Sequence, residues 1–200
     1  MRRRRILQGI GAMMAATALR PQSARTLAQG RAATGTDITG TLARYMAAAR
    51  DRDLPVAIEQ AAKHRILDTL AAIVSGAQLK PGEMAIRFVR AQGGAAEASV
   101  PTTSIRTTAV NAALAAGMFA HADETDDFEP VTKAHPGCVV VPAALAMAER
   151  ENRSGAELVR AVTLGYDLCC RFLTALGPDH VRATHRSAEG VSSKIGRAHV

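Results

Sequence analysis

Titratable side chains are concentrated in the segment from His121 to Pro142. Within it lie five carboxylates, two imidazoles and one ammonium group, contributed by Asp123, Glu124, Asp126, Asp127, Glu129, His121, His135 and Lys133. The segment follows one small-residue apolar stretch and precedes another. Like charges this close together resist burial unless they find partners. If the fold holds them between two apolar helices, they are available as acids, bases or ligands, with proton transfer as the chemistry most directly implied.

Two other interpretations of this segment stay open. Acidic loops between helices are often only solvated, and Pro136-Gly137 is an ordinary turn sequence. Metal binding is the other alternative, since carboxylate and imidazole ligands suit Mg, Mn or Zn, and a metal-dependent hydrolase or lyase would use them. However, no HxxxH or CxxC spacing supports a metal centre. We therefore expect no metal and no cofactor.

Two neighbouring residue types invite other chemistry. Cys138 follows the His-Pro-Gly sequence and could act as a nucleophile, but a small residue packing at a helix start is the favoured interpretation. Tyr166 and Asp167 fall in a predicted helix and are interpreted as structural. Three cysteines, two of them adjacent, form no disulfide framework.

The elements that must position these residues are helices. High alanine content with only 3% aromatic residues favours an all-α domain over a β-sandwich. Apolar periodicity, glycine and proline positions and capping residues predict helices over 41–50, 55–76, 82–92, 109–122 and 139–151, and a sixth from the Ser154 capping box to Gly177. Thr107 or Thr108 is expected to cap the fourth.

The positive charge of the chain is concentrated at its start. Seven arginines precede residue 32 and no acid precedes Asp37, so the rest of the chain carries 25 − 7 = 18 basic residues against 18 acidic ones. This balance leaves no basic face for nucleic acid. Residues 1–35 resemble a twin-arginine export signal with a linker, with Arg3 and Arg4 as the pair. The sequence predicts a periplasmic protein, otherwise a cytoplasmic one, with no membrane association of the mature form.

Two motifs carry a family resemblance. NAALAAGMFAHADETDD (111–127) and HPGCVVVPAALAMAE (135–149) resemble the central motif of the MmgE/PrpD family, which includes 2-methylcitrate dehydratase, cis-aconitate decarboxylase and iminodisuccinate epimerase. The stretches at 67–76 and 153–171 also fit. The resemblance implies a helical domain over residues 36–194 and a lyase that dehydrates, decarboxylates or epimerises a small polycarboxylate. It also implies a homodimer at full length.

The resemblance carries over to individual residues. It implies that Glu124, Asp126, Asp127 and His135 are catalytic, and that Lys133 and His185 bind substrate carboxylates. In this hypothesis His135 and either Glu124 or Asp126 transfer protons, while Asp127 orients His135 or a water. Phe128 is a departure, because several relatives carry a Thr or Ser there that hydrogen bonds to substrate. A non-catalytic helical binding protein is therefore the alternative function.

The end of the sequence departs from the family pattern. Relatives continue with another helix and an α/β lid domain, whereas residues 195–200, IGRAHV, resemble a translated sequencing adapter. We expect these residues to be non-native and the 200-residue chain to be an inactive N-terminal fragment.

Overall fold

Helices account for most of the structure, as the sequence predicts. The computed structural model describes residues 37–184, 186–188 and 190. These residues form seven helices, α1 (Ile38–Ala49), α2 (Val56–Gly76), α3 (Lys80–Gln92), α4 (Ala109–Ala120), α5 (Gly137–Arg150), α6 (Gly155–Leu176) and α7 (Pro178–Ala183). The described part of the chain from Thr39 onward is one compact unit. The predicted export signal and the tail at 195–200 lie outside the described residues.

Helix ends follow the local signals. The Thr108 side chain accepts a hydrogen bond from the Asn111 amide and caps α4. Ser154 and Glu157 form the predicted capping box of α6, with Glu157 Oε2 accepting from the Ser154 amide at 2.8 Å. Each contact satisfies an amide that the first helical turn leaves without an intrahelical partner.

A short hairpin is a feature that the sequence patterns do not predict. Strand β1 (Ala98–Ser99) pairs antiparallel with β2 (Arg106–Thr107), and Ala98 lies opposite Thr107. Two-residue strands carry no usable alternation of apolar and polar residues, so periodicity cannot detect them. The hairpin leads the chain into α4.

Helix α4 lies at the centre of the fold and packs against α2, α3 and α5. Its buried residues are small except for one, and they are Ala109, Ala112, Ala115, Ala116, Phe119 and Ala120. Alanine side chains let neighbouring helices approach closely, which compensates for the low aromatic content of the core. The end of α4 therefore sits rigidly between α2 and α5, where the acidic segment begins.

Gly76, the last residue of α2, lies directly against the end of α4. A Cβ atom on this residue would lie 1.8 Å from the Phe119 carbonyl oxygen and 2.9 Å from Ala122 Cβ. Only glycine fits here without moving the backbone.

Within the part of the chain that the structure describes, none of the helices combines the length and the apolar composition that a bilayer span requires.

We predict that Gly76→Ala separates α2 from α4 and destabilises the protein. Overpacking against backbone typically costs a few kcal/mol, so we expect the free energy of unfolding to fall by about 3 kcal/mol and the Tm by about 6–12 °C. Gly155→Ala is the matched control, because a Cβ atom added at Gly155 would meet no heavy atom within 4 Å. If Gly76→Ala and Gly155→Ala, made in the native-length protein, melt at the same temperature, the close approach of α2 to α4 at Gly76 is contradicted.

Candidate active site

The acidic segment forms an irregular loop between α4 and α5, here called the site loop (residues 121–136). Its two adjacent carboxylates, Asp126 and Asp127, are buried, with residue exposures of 6% and 8%. Glu124 and Lys133 are exposed and adopt positive φ angles of 53° and 62°. The loop thus turns one acidic pair inward and leaves other charges at the surface.

Asp126 lies between two imidazoles. Its Oδ2 atom is 3.1 Å from His121 Nδ1, and its Oδ1 atom is 3.4 Å from His135 Nδ1. The carboxylate itself is completely inaccessible, whereas 42% of the His121 side chain and 21% of the His135 side chain are exposed. The two rings meet edge to face with centroids 5.1 Å apart. A solvent-reachable pair of imidazoles therefore shares one buried carboxylate.

Asp127 holds the start of α5. Its Oδ1 atom accepts a hydrogen bond of 2.8 Å from the Gly137 amide, at the first residue of that helix. A carboxylate there is stabilised both by the amide and by the positive end of the helix dipole. Because His135 lies two residues before Gly137, this contact fixes the backbone that carries the imidazole. Asp127 thus acts on His135 through the main chain.

Polar groups from distant helices close around the same point. A Cβ at residue 137 would lie 2.6 Å from Asp127 Oδ1, 2.6 Å from Thr69 Oγ1 and 2.9 Å from the Tyr166 hydroxyl oxygen. Burial and the neighbouring Asp127 carboxylate raise the pKa of Tyr166. The phenol therefore stays neutral. Thr69, from α2, and Tyr166, from α6, brace the loop against the helices on either side.

Two further carboxylates, those of Glu129 and Asp123, hold the loop through hydrogen bonds. Glu129 Oε2 accepts from the Thr132 amide at 2.6 Å and from its hydroxyl at 2.5 Å. Burial opposes ionisation of Glu129, but the Thr132 and Val131 hydrogen bonds outweigh it, so the pKa is lowered. Asp123 accepts a 2.7 Å bond from the Ser75 hydroxyl, which lowers its pKa, and a further bond from Thr125.

An aromatic side chain lies at the edge of the imidazole pair. The Phe128 ring is 51% exposed and its centroid is 5.4 Å from that of His135. Lys133 Nζ lies 5.5 Å from the same ring. This arrangement places a cation near the imidazoles, with an apolar surface between them.

The structure brings together some of the predicted site residues. Asp126 and His135 are in contact, and Asp127 positions the backbone of His135. Lys133 lies over the Phe128 ring, which in turn lies beside the His135 ring. Glu124 is not part of this cluster, and its side chain makes no hydrogen bond or ion pair with any described residue. His185 lies outside the described residues.

Three contributors to the site escape sequence reasoning. His121 counts among the titratable groups of the segment but receives no role from the sequence, although it makes the shortest contact with Asp126. The only available signal is its position directly after the small-residue helix. Thr69 carries no signal in the sequence. Tyr166 is interpreted there only as a structural residue, because nothing in the sequence links Thr69 or Tyr166 to Asp127.

One set of side chains offers mixed ligand atoms. His121, Asp126 and Cys138 each present a ligand atom, and these atoms all lie within 4.8 Å of one another. Cys138 is buried in the first turn of α5, where its thiol contacts the His135 carbonyl at 3.1 Å. A search for HxxxH or CxxC spacing cannot find this set, because Asp126 follows His121 by 5 residues and Cys138 follows Asp126 by 12.

Comparisons with known proteins agree with the helical fold. Residues 40–200 match the family described as the MmgE/PrpD N-terminal domain. A protein of Aspergillus oryzae named cis-aconitate decarboxylase-like protein oryM is 26% identical over 138 residues, which cover 66% of this chain and 29% of that protein. The chain thus spans less than a third of that relative's length.

The Glu129 turn predicts a pH-dependent contribution to stability. Because its folded-state pKa lies below its unfolded value, the carboxylate stabilises the fold above the unfolded pKa, about 4.3, and this stabilisation is lost as pH falls through the folded pKa. At pH 7 we expect Glu129→Gln to lower the Tm by about 2–4 °C. The difference should shrink as pH falls below the unfolded pKa and vanish once the carboxylate is protonated in the folded state as well. Glu124→Gln, in the same loop but exposed, is the control and should melt like wild type. A Glu129→Gln deficit that is unchanged at low pH would contradict this.

Proposed function

Because this chain belongs to the MmgE/PrpD family, we propose that the native-length protein is a lyase-type enzyme that acts on a small polycarboxylate. In this proposal the enzyme moves protons at a carbon next to a carboxylate. The observation that supports it most directly is the buried Asp126 carboxylate in contact with two partly exposed imidazoles.

The geometry suits acid–base chemistry. An imidazole can remove a proton from substrate, and a buried carboxylate beside it stabilises the positive charge that then forms on the ring. Asp126 can do so for His135 and for His121. One imidazole accepting a proton while the other donates one would provide both transfers that an elimination requires. His121 is thus added to His135 as a candidate catalytic residue.

Substrate carboxylates need cationic partners. Lys133 is exposed at the edge of the site, where its ammonium group lies over the Phe128 ring. We propose that it binds one carboxylate, with His185 as a second contributor. Phe128 presents an apolar surface at the position where the Thr or Ser of several relatives would hydrogen bond to a hydroxylated substrate. A substrate with an unsaturated or unsubstituted carbon at this position fits better than a citrate-like one.

Two outcomes follow from removal of a proton next to a carboxylate. The resulting carbanion can expel hydroxide from the neighbouring carbon, which the acid protonates to water, or it can regain a proton on the opposite face. Decarboxylation is a separate route in which carbon dioxide leaves, and a proton from the acid bonds to the carbon that keeps the electron pair. The name of the Aspergillus relative refers to decarboxylation, and we propose loss of carbon dioxide or water in preference to epimerisation.

The first functional prediction concerns His135. His135→Gln keeps hydrogen-bonding capacity but removes the titrating ring, and general acid–base contributions are typically about 10² to 10⁴ in rate. We expect kcat of the native-length enzyme on small unsaturated and hydroxylated di- and tricarboxylates to fall at least about a hundredfold, with little change in Tm. His64→Gln, the same change at an exposed position of α2, should leave kcat unchanged.

Two results would contradict this assignment. A His135→Gln variant that melts far below wild type but keeps its kcat would make the histidine a structural tether of the site loop. A wild-type enzyme that binds these acids without turning any of them over would favour the non-catalytic binding protein.

The second functional prediction distinguishes the two candidate carboxylates. Asp126→Asn removes the charge that stabilises a protonated imidazole, so we expect kcat to fall at least about a hundredfold. Glu124→Gln makes the equivalent change at an exposed side chain outside the cluster, and we expect a smaller loss. A larger loss in Glu124→Gln would transfer the acid–base role to that residue.

A further inference from the structure

Three side chains with different ligand atoms converge beside the imidazole pair. They come from separate elements, with His121 directly after α4, Asp126 in the site loop and Cys138 in the first turn of α5. An imidazole nitrogen, a carboxylate oxygen and a sulfur atom lie within 4.8 Å of one another. Two of the three residues are buried, and the Asp126 side chain is completely so.

We propose that His121, Asp126 and Cys138 form a binding site for a thiophilic divalent cation of the Zn²⁺ type. Zinc binds nitrogen and oxygen at about 2.0–2.2 Å and sulfur at about 2.3 Å, so ligand atoms around a tetrahedral ion are about 3.3–3.8 Å apart. His121 Nδ1 and Asp126 Oδ2 are already 3.1 Å apart. The sulfur must approach the other two ligand atoms by at most about 1.3 Å to complete the geometry.

The ligand set selects the ion. Mg²⁺ and Ca²⁺ prefer oxygen ligands, whereas a set with one imidazole and one thiolate favours zinc and its neighbours. Zinc binds the thiolate, so the Cys138 proton passes to solvent when the ion enters. Three protein ligands leave a fourth coordination position for water or another small ligand. The His121 side chain is 42% exposed, so one of the three ligands is reachable from solvent.

Metal binding at this place would oppose the proposed chemistry. This part of the inference rests on the proposed function. An ion on Asp126 and His121 occupies the carboxylate that would otherwise stabilise a protonated imidazole, and it takes the Nδ1 atom of one proton carrier. The enzyme therefore works without metal, and zinc is a reversible inhibitor.

The binding test uses the native-length protein and Zn²⁺ alone, in competition with a chromophoric chelator. We expect one ion per chain with wild-type protein and at least a tenfold weaker affinity in Cys138→Ser and in His121→Asn. Cys170→Ser is the matched control, since Cys170 is not among the three ligands, and it should bind like wild type. Equal affinity in wild type and Cys138→Ser would overturn the site.

A spectroscopic readout covers variants that fold poorly. Co²⁺ in place of Zn²⁺ should give a thiolate-to-metal charge-transfer band in wild type and in Cys170→Ser, and the band should be missing from Cys138→Ser. A band that survives in Cys138→Ser would overturn the assignment of the sulfur ligand. Circular dichroism of each variant confirms that loss of the band is not loss of the fold.

The activity test separates this inference from the proposed function. Zinc should inhibit wild-type turnover at concentrations that fill the site, EDTA should restore it, and Cys138→Ser should resist zinc by at least tenfold. EDTA alone should leave wild-type activity intact. Zinc binding with undiminished turnover would overturn the inhibitory role, whereas a protein that turns nothing over would refute the proposed function and leave the binding test decisive.

Discussion

Burial of the adjacent carboxylates Asp126 and Asp127 is the constraint on which the site depends. Taking a carboxylate out of water costs several kcal/mol unless hydrogen bonds and opposite charges replace the lost hydration. Two imidazoles meet this need for Asp126, and the amide that begins α5 meets it for Asp127. The path of the chain between α4 and α5 is what brings these partners within reach.

Neighbouring carboxylates have thereby acquired different surroundings. Asp126 faces groups that can gain or lose a proton, whereas Asp127 faces a fixed amide and lies close to the Tyr166 phenol. Consecutive side chains in an irregular loop can point to different neighbours, so the two acids of the pair differ in their contacts. Asp127 anchors the start of α5, whereas Asp126 is the acid to which the proposed function assigns a role in proton transfer.

Most of the fold is accessible from sequence because its signals are local. Caps at Thr108 and Ser154 and the glycine that ends α2 specify helix limits within a few residues. The hairpin at Ala98 is not predicted, because strands of only two residues form where the surrounding tertiary structure places them. Strand pairing of this length depends on neighbouring helices more than on intrinsic preference.

The site can be predicted from the sequence only in part, for a related reason. Asp126 and His135 are nine residues apart, and a loop that returns to a helix brings such residues together almost regardless of the rest of the fold. The involvement of Thr69 and Tyr166 depends on how α2 and α6 cross, which no single sequence reveals. His121 is named among the titratable groups but receives no role from the sequence, because the resemblance assigns roles to the acids that follow it.

The short sequence separation of the site has a consequence for folding order. Residues 121–136 join α4 and α5, which pack directly on each other, and closing a loop of this size costs little chain entropy compared with the pairing of distant segments. The α4–α5 hairpin can therefore form as an early unit with its imidazoles and carboxylates already adjacent. Braces from α2 and α6 would arrive later and convert a loosely arranged cluster into a rigid one.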